Sequence, residues 1–553
     1  MCRLLLFLAI SGWLSTTPYA DDAPDKSELA AADQLYRSGK FAEAADKYQA
    51  ILTADDTLVP AQSGLIHALL RQQKIDEASR AADKALAAQP NSAALFAAMG
   101  DVQFRLAEMP EAEKSYLKAL KVDPKELHAY LGLARLHNAF SLRRRAYDEL
   151  KAAYSLAPND PDVQRLWFDR LGRRERIAAI ETYLAGAHPD DPEETEYLQH
   201  YLAFLKATVD QPIHTCKLIS KIEQTDTNLE RMLRDPRHIS GYGLVVKLND
   251  HNDRLLLDTG ASGILIGRKS AEKAGLKRIS AVRYQGIGDK GAQGGYLALA
   301  DRIRVGELEF TDCVVHVAER RSLADEDGLV GADVFSSYLI DIDFPSEKLR
   351  LSPLPKRPDD TVAPTALNSE GESRSNPDDK SGGPSDQRAE SAGDTSKSAN
   401  TAPAPHLPRD RYVAPEMKDW TPVFRFGHEL LITTLVNNSK PMLFLIDTGS
   451  GVNFLSTRAG HEVTKISSDA NVHVKGLSGT VNDVYRADNA TLQFGRFAQK
   501  NQNIVTLDLS NLSKHTGTEV SGILGFQLLH MLQVKIDYRD GLVDFAYDPK
   551  RWR

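Results

Sequence analysis

Two spacings of apolar residues divide the chain. From about residue 29 to 192 apolar positions, many of them alanine, recur three and four apart, the period of helices packed on one face. The helix-like pattern continues from 193 to 237, through 197–207 and 217–233, and ends at Asp235-Pro236. Beyond it the runs shorten. Gly243-Leu244-Val245-Val246-Lys247-Leu248 followed by Asn249-Asp250-His251-Asn252 reads as a strand and a hairpin-like turn. Two such β regions are expected, at 238–353 and 413–553. Between them, 354–412 is rich in Pro, Ser, Asp, Gly and Lys and nearly devoid of large apolar side chains, so burial does not offset its ordering entropy and it is expected to be disordered. A flexible segment of about 60 residues spans on the order of 40 Å, enough for the two β regions to meet.

Within the helical region, Ala44, Ala78, Ala112 and Ala146 stand 34 residues apart, as do Pro90, Pro124, Pro158 and Pro192. Similar phrases surround the alanines: Lys40-Phe41-Ala42-Glu43-Ala44, Ile75-Asp76-Glu77-Ala78, Met109-Pro110-Glu111-Ala112. The region 29–192 resembles a tetratricopeptide repeat array, in which each unit is a helix pair, alanine allows close contact and proline ends the second helix. Ile180 replaces the alanine of a fifth unit, as in a degenerate terminal repeat. The resemblance implies a concave surface for an extended peptide or a partner's helix, or else a spacer without a ligand. Arg143-Arg144-Arg145 reads as a solvated helix face.

A tripeptide occurs twice, each time at the end of an apolar run: Asp258-Thr259-Gly260 after Leu255-Leu256-Leu257, and Asp447-Thr448-Gly449 after Leu443-Phe444-Leu445-Ile446. Gly306 and Gly495 both lie 48 positions beyond the aspartate. Leu329-Val330-Gly331 and Ile523-Leu524-Gly525 follow with their glycines at offsets of 73 and 78, and 12 residues after those come Asp343 and Asp537. The joint match marks a duplicated domain. It resembles the aspartic peptidases, specifically the small retropepsin-like lobe, over about 238–353 and 423–548. The expected fold class is therefore multidomain α plus β: an N-terminal α-solenoid of tetratricopeptide repeats, a helical bridge at 193–237 and two small all-β retropepsin-like barrel lobes.

The resemblance implies a catalytic pair, Asp258 and Asp447, one from each lobe. Two close carboxyls sharing one proton can activate water and protonate a departing nitrogen. It implies that Thr259 and Thr448 bond across the lobes and that Gly260 and Gly449 permit the turn under the carboxylates. Ser450 follows Gly449 where lobe 1 has Ala261, and the expectation is that Ser450 stabilises charge on Asp447 while the proton rests on Asp258. Tyr284-Gln285-Gly286-Ile287-Gly288 and Lys475-Gly476-Leu477-Ser478-Gly479 resemble flap hairpins that close over a substrate, the plain alternative being ordinary turns. Tyr284, Gly286, Gly288, Gly476 and Gly479 are the flap candidates, with Tyr284 lining the cleft.

Other chemistries find little support. His428-Glu429 and His461-Glu462 begin like a zinc-peptidase motif, but Ile432 and Lys465 stand where the second histidine is required. No nucleophile elbow, phosphate loop, metal set or cofactor motif is evident. A net charge of -8 over 553 residues gives no basic surplus for nucleic acid. Residues 1–20, with Arg3, an apolar stretch and a small-residue end interrupted by Pro18, read as a signal peptide, with an uncleaved membrane anchor as the alternative. In an exported chain Cys216 and Cys313 either pair or remain separate buried thiols. The reading is an exported, periplasmic or secreted aspartic endopeptidase acting on a peptide or protein substrate. Its lobes pair within one chain, or alternatively between chains, and its array is open to a protein partner. The rival is a non-catalytic peptide-binding scaffold.

Overall fold

The computed structural model describes residues 26–186, 191–209, 216–235, 238–284, 293–319, 327–358, 407–468, 474–476, 479–481 and 483–552. The expected signal peptide lies outside them. No helix among the described residues is long and apolar enough to cross a membrane.

Helix pairs build the N-terminal array. Lys26–Arg37 packs on Phe41–Ala54, Val59–Arg71 on Ile75–Ala88, Ala93–Arg105 on Met109–Val122, and Leu127–Ala139 on Arg143–Leu156. The periodic alanines sit where the helices cross, with Ala44, Ala78, Ala112 and Ala146 all buried. A second 34-residue period emerges in the backbone. The turn inside each pair has one left-handed residue, Gly39 (φ 77°), Gln73 (62°), Ala107 (63°) and Ser141 (59°), which ends the first helix and reverses the chain. The fifth pair opens with a shorter helix, Pro161–Trp167 before Arg173–Ala185, and Trp167 stacks on Tyr154 of the fourth pair at 4.3 Å.

The expected helical bridge at 193–237 is helical only in its first part, Pro192–Ala207. After it, Lys217–Leu218, Thr225–Asn228 and Glu230–Asp235 are strands, paired with Leu308–Ala318, Lys348–Pro353 and His238–Leu248. Lobe 1 thus begins near Cys216 rather than at 238. Open sheet edges supply backbone partners that override the local helical pattern. A disulfide joins Cys216 to Cys313 and fixes the first of these strands to the lobe.

In each lobe an apolar strand leads into the aspartate. In lobe 1, His251–Asp258 pairs antiparallel with His238–Leu248 and in parallel with Gly328–Gly331. In lobe 2, Met442–Ile446 pairs in the same way with Glu429–Val436 and Gly522–Leu524. The last strands of the two lobes enter one sheet, with Tyr338–Asp343 and Gln533–Asp537 antiparallel in the register Ile340↔Ile536. Thr225–Asn228 lies at one edge of that sheet and Thr421–Pro422 at the other. A continuous apolar core crosses the junction, including Leu257, Val330 and Ile340 from one lobe and Ile446, Leu524 and Ile536 from the other.

The array shares a second core with lobe 2. Phe96, Met109, Tyr116 and Leu136 join Leu431, Leu445, Val520 and Ile523 in one apolar cluster. At its edge Phe104 meets Phe426 (6.2 Å between centroids) and Phe140 meets Phe424 (4.8 Å). The Phe104 carbonyl accepts from Thr518 Oγ1 at 2.7 Å, the Arg105 carbonyl accepts from Glu519 N–H at 2.9 Å, and Arg105 Nη1 donates to the Ser513 carbonyl at 2.8 Å.

The expected linker at 354–412 is shorter in its undescribed part, 359–406. The flanking residues are packed, because the buried carboxyl of Asp540 gathers them: it takes Arg357 and accepts from Tyr412 N–H at 2.9 Å, while Arg411 Nε donates to the Asp540 carbonyl at 2.7 Å.

Candidate active site

The two Asp-Thr-Gly loops lie against each other at the lobe junction. Thr259 and Thr448 are buried, and each hydroxyl works twice. Thr448 Oγ1 accepts from Thr259 N–H (3.0 Å) and donates to the Leu257 carbonyl (2.8 Å). Thr259 Oγ1 accepts from Thr448 N–H (3.0 Å) and donates to the Ile446 carbonyl (2.8 Å). Four buried hydrogen bonds thus tie the two loops, each contributing about 1 kcal/mol net and costing more if one partner is lost.

This tie sets the carboxyls face to face. A Cβ on Gly260 would lie 2.7 Å from Asp447 Cγ, and one on Gly449 would lie 2.5 Å from Asp258 Cγ, so each glycine is the seat of the opposite carboxyl. Asp258 Oδ1 accepts from Gly260 N–H at 2.8 Å. Asp447 Oδ1 accepts from the N–H groups of Gly449 (2.9 Å) and Ser450 (3.0 Å). Below the loops Gly331 and Gly525 leave no room for a side chain, since a Cβ there would strike the carbonyls of Ala261 and Val452.

Both carboxyls are held above the usual carboxylate range. Burial raises Asp258, offset by backbone N–H donors from Gly260, Gly449 and Ala261. Asp447 is raised further, by burial and then by the neighbouring Asp258. Two carboxyls so placed titrate as a pair that shares one proton. The Ser450 hydroxyl, expected to stabilise charge on Asp447, donates instead to the Val452 carbonyl at 3.0 Å.

The flap candidates separate. Gly286 and Gly288 lie outside the described residues. Tyr284 ends the strand Lys277–Tyr284 and packs with Leu265, Ala318 and Leu329, against Leu256 and Ala261. Gly476 and Gly479 face each other as the closing pair of a hairpin, Val474–Gly476 with Gly479–Val481.

Three further residues stand out: Asp333, which the sequence reading passed over, and His428 and Glu429, which it noted only as an incomplete zinc motif. Asp333 is buried and accepts from Ser262 Oγ and Gly263 N–H, both at 2.9 Å, bracing the loop that follows Asp258. His428 is part of the incomplete zinc motif, and burial lowers its pKa to about 4. Glu429 is 4% exposed, its Oε2 has no hydrogen-bond partner, and burial alone pushes its carboxyl up to about 8 from 4.5. Between those values the folded chain holds a proton that the unfolded chain has released, so stability falls as pH rises through that window. Glu429→Gln is accordingly expected to raise the melting temperature by several degrees at about pH 8 and to match the parent near pH 4, read by calorimetry across pH.

Comparison with known proteins bears on these lobes directly. The family model described as "Aspartyl protease" matches the chain twice, at residues 244–334 and 432–528. These two segments of the chain are similar to aspartyl protease lobes. A tetratricopeptide repeat model matches residues 35–102. The UBA domain-containing protein Mud1 of Schizosaccharomyces pombe is 30% identical over 108 residues, 19% of this chain and 31% of its own length, so the chain spans about a third of that curated relative. Among solved structures, a thermophilic tetratricopeptide protein of Thermus thermophilus is 18% identical, with 32% of this chain and 97% of that one covered at a TM-score of 0.27. The aspartic proteinase from Irpex lacteus is 12% identical, with 59% and 98% covered at 0.33. The two segments matched by the aspartyl protease model run from before each Asp-Thr-Gly loop to just past the later glycine motif.

Proposed function

We propose that the chain is an aspartic endopeptidase in which Asp258 and Asp447 of one molecule form the catalytic pair. The observation that carries this reading is the seating of each carboxyl on the other lobe's glycine. The Asp258 carboxylate takes a proton from water as it attacks the scissile carbonyl, while protonated Asp447 gives its proton to the carbonyl oxygen. The proton then held by Asp258 passes to the departing nitrogen as the tetrahedral intermediate breaks. The low-dielectric surroundings of two buried carboxyls strengthen each of these transfers.

The reading includes export to the periplasm or beyond, supported by the disulfide, which persists in oxidising compartments. It also includes recruitment of a partner or substrate by the array. No nucleic acid or cofactor enters it.

The test is incubation of the full chain with a mixed peptide library from about pH 3 to 8, with products read by mass spectrometry. The expected profile is bell-shaped, with an acid limb shifted upward because both carboxyls are raised. Absence of cleavage at every pH would leave a peptide-binding scaffold.

A further inference from the structure

We propose that the first turn of the helix Pro192–Ala207 is a displaceable clip: its carboxylates fill an arginine-lined site on the array, and an acidic segment of a partner protein takes that site in their place. The inference is independent of the catalytic pair.

The site is built by helices far apart in sequence. Arg71 ends the first helix of the second pair, and Arg165 lies on the first helix of the fifth. Both reach Glu194, at 3.1 and 2.5 Å, so one carboxylate is gripped between two pairs of the stack that are not neighbours. Arg71 also donates to Asp191 at 2.6 Å, and its guanidinium lies over the Phe41 ring, 4.3 Å from the centroid. Asp191 is buried. Its other oxygen caps the helix by accepting from Glu193 N–H at 3.0 Å, and its carboxyl rests on Gly39, where a Cβ would stand 3.2 Å away. The first, second and fifth pairs thus converge on two acidic side chains.

Elsewhere on these first helices the charges satisfy one another across the stack. Asp101 accepts from Arg135 at 2.6 Å and pairs with His67 at 3.0 Å. Arg165 shares itself with Asp162 of its own helix, but Arg71 and Arg165 both turn to the segment that follows the array.

The clip can be lifted because its other contacts are weak. Glu193 pairs with Lys514 on the lobe-2 helix Ser510–Thr516, and Glu196 with Arg283 on the lobe-1 strand Lys277–Tyr284, both at 3.1 Å. All four side chains are at least half exposed, and solvent screening leaves each pair worth little. Further along, Leu198 and Leu205 pack with Ile180 and Tyr183, so the body of the helix stays on the fifth pair when its first turn is released.

The occupant defines the partner's chemistry. Asp191 and Glu194 present two carboxylates three residues apart, and another protein's acidic segment with that spacing offers the arginines the same charge-assisted bonds. The chain's own copy competes at high effective concentration, so an outside segment binds weakly while the clip is in place.

The experiment measures, by fluorescence anisotropy, binding of a dye-labelled peptide with the sequence of residues 189–198 to the full chain and to the double variant Asp191→Asn, Glu194→Gln. Asparagine retains the helix cap, so the variant removes charge rather than the helix. The expected result is binding about tenfold or more tighter to the double variant than to the parent, lost when Arg71→Gln or Arg165→Gln is added to it. A peptide with amides in place of its carboxylates is expected to bind neither protein. Equal binding to parent and double variant, tight binding that survives both arginine substitutions, equal binding of the neutral peptide, or no binding at all overturns the proposal.

Discussion

Asp258→Asn and Asp447→Asn are each expected to reduce peptide cleavage by about a thousandfold or more, with the chain remaining folded. Each carboxyl has a separate task, one taking the proton of water and the other giving a proton to the carbonyl oxygen, and an amide does neither. The seating of each carboxyl on the other lobe's glycine makes the two variants equivalent in outcome. Pairing within one chain adds two expectations. Activity per molecule is unchanged on dilution, because both lobes travel together. Mixing the two single variants restores nothing. Lobes that pair between like copies behave otherwise: each single variant keeps one working site, and activity falls on dilution. Steady-state rates over a roughly hundredfold range of protein concentration separate the cases.

Phe104→Ala is expected to cost about 3–5 kcal/mol, the range for removing a buried aromatic ring where the surroundings do not close the gap. Phe104 is 6% exposed and sits where the array's third helix pair meets Phe426 of lobe 2, while its carbonyl accepts from Thr518. Because the array and lobe 2 share one apolar cluster, the loss should lower the denaturant midpoint of both together. Chemical denaturation followed by near-ultraviolet and far-ultraviolet dichroism checks this. A transition of the helices that moves while that of lobe 2 stays would mean that the array folds apart from the lobes.

The parts of this molecule legible in the sequence are those whose cause is local or periodic. Ala44, Ala78, Ala112 and Ala146 are readable because helix crossings recur at a fixed distance along the chain. The Asp-Thr-Gly loops are readable because a tight turn under a carboxyl admits few residues. Where the cause is a partner far away in sequence, the reading slips. The stretch 217–233 looks helical alone and becomes strands because Lys348–Pro353 and His238–Leu248 present open edges. The flanks of the linker look loose because nothing nearby announces Asp540 as their anchor. Ser450 looks like a donor to Asp447 until the Val452 carbonyl competes for its hydroxyl.

Joining two copies of a lobe in one chain changes what selection can do with the site. Where identical subunits meet about a twofold axis, every substitution appears on both walls, and a buried acid introduced on one side is repeated on the other. Here the two copies are separate stretches of one gene product and drift independently. Ala261 and Ser450 occupy matching places and already differ. A peptide chain has a direction, and a cleft freed from exact symmetry can come to recognise which end of its substrate is which.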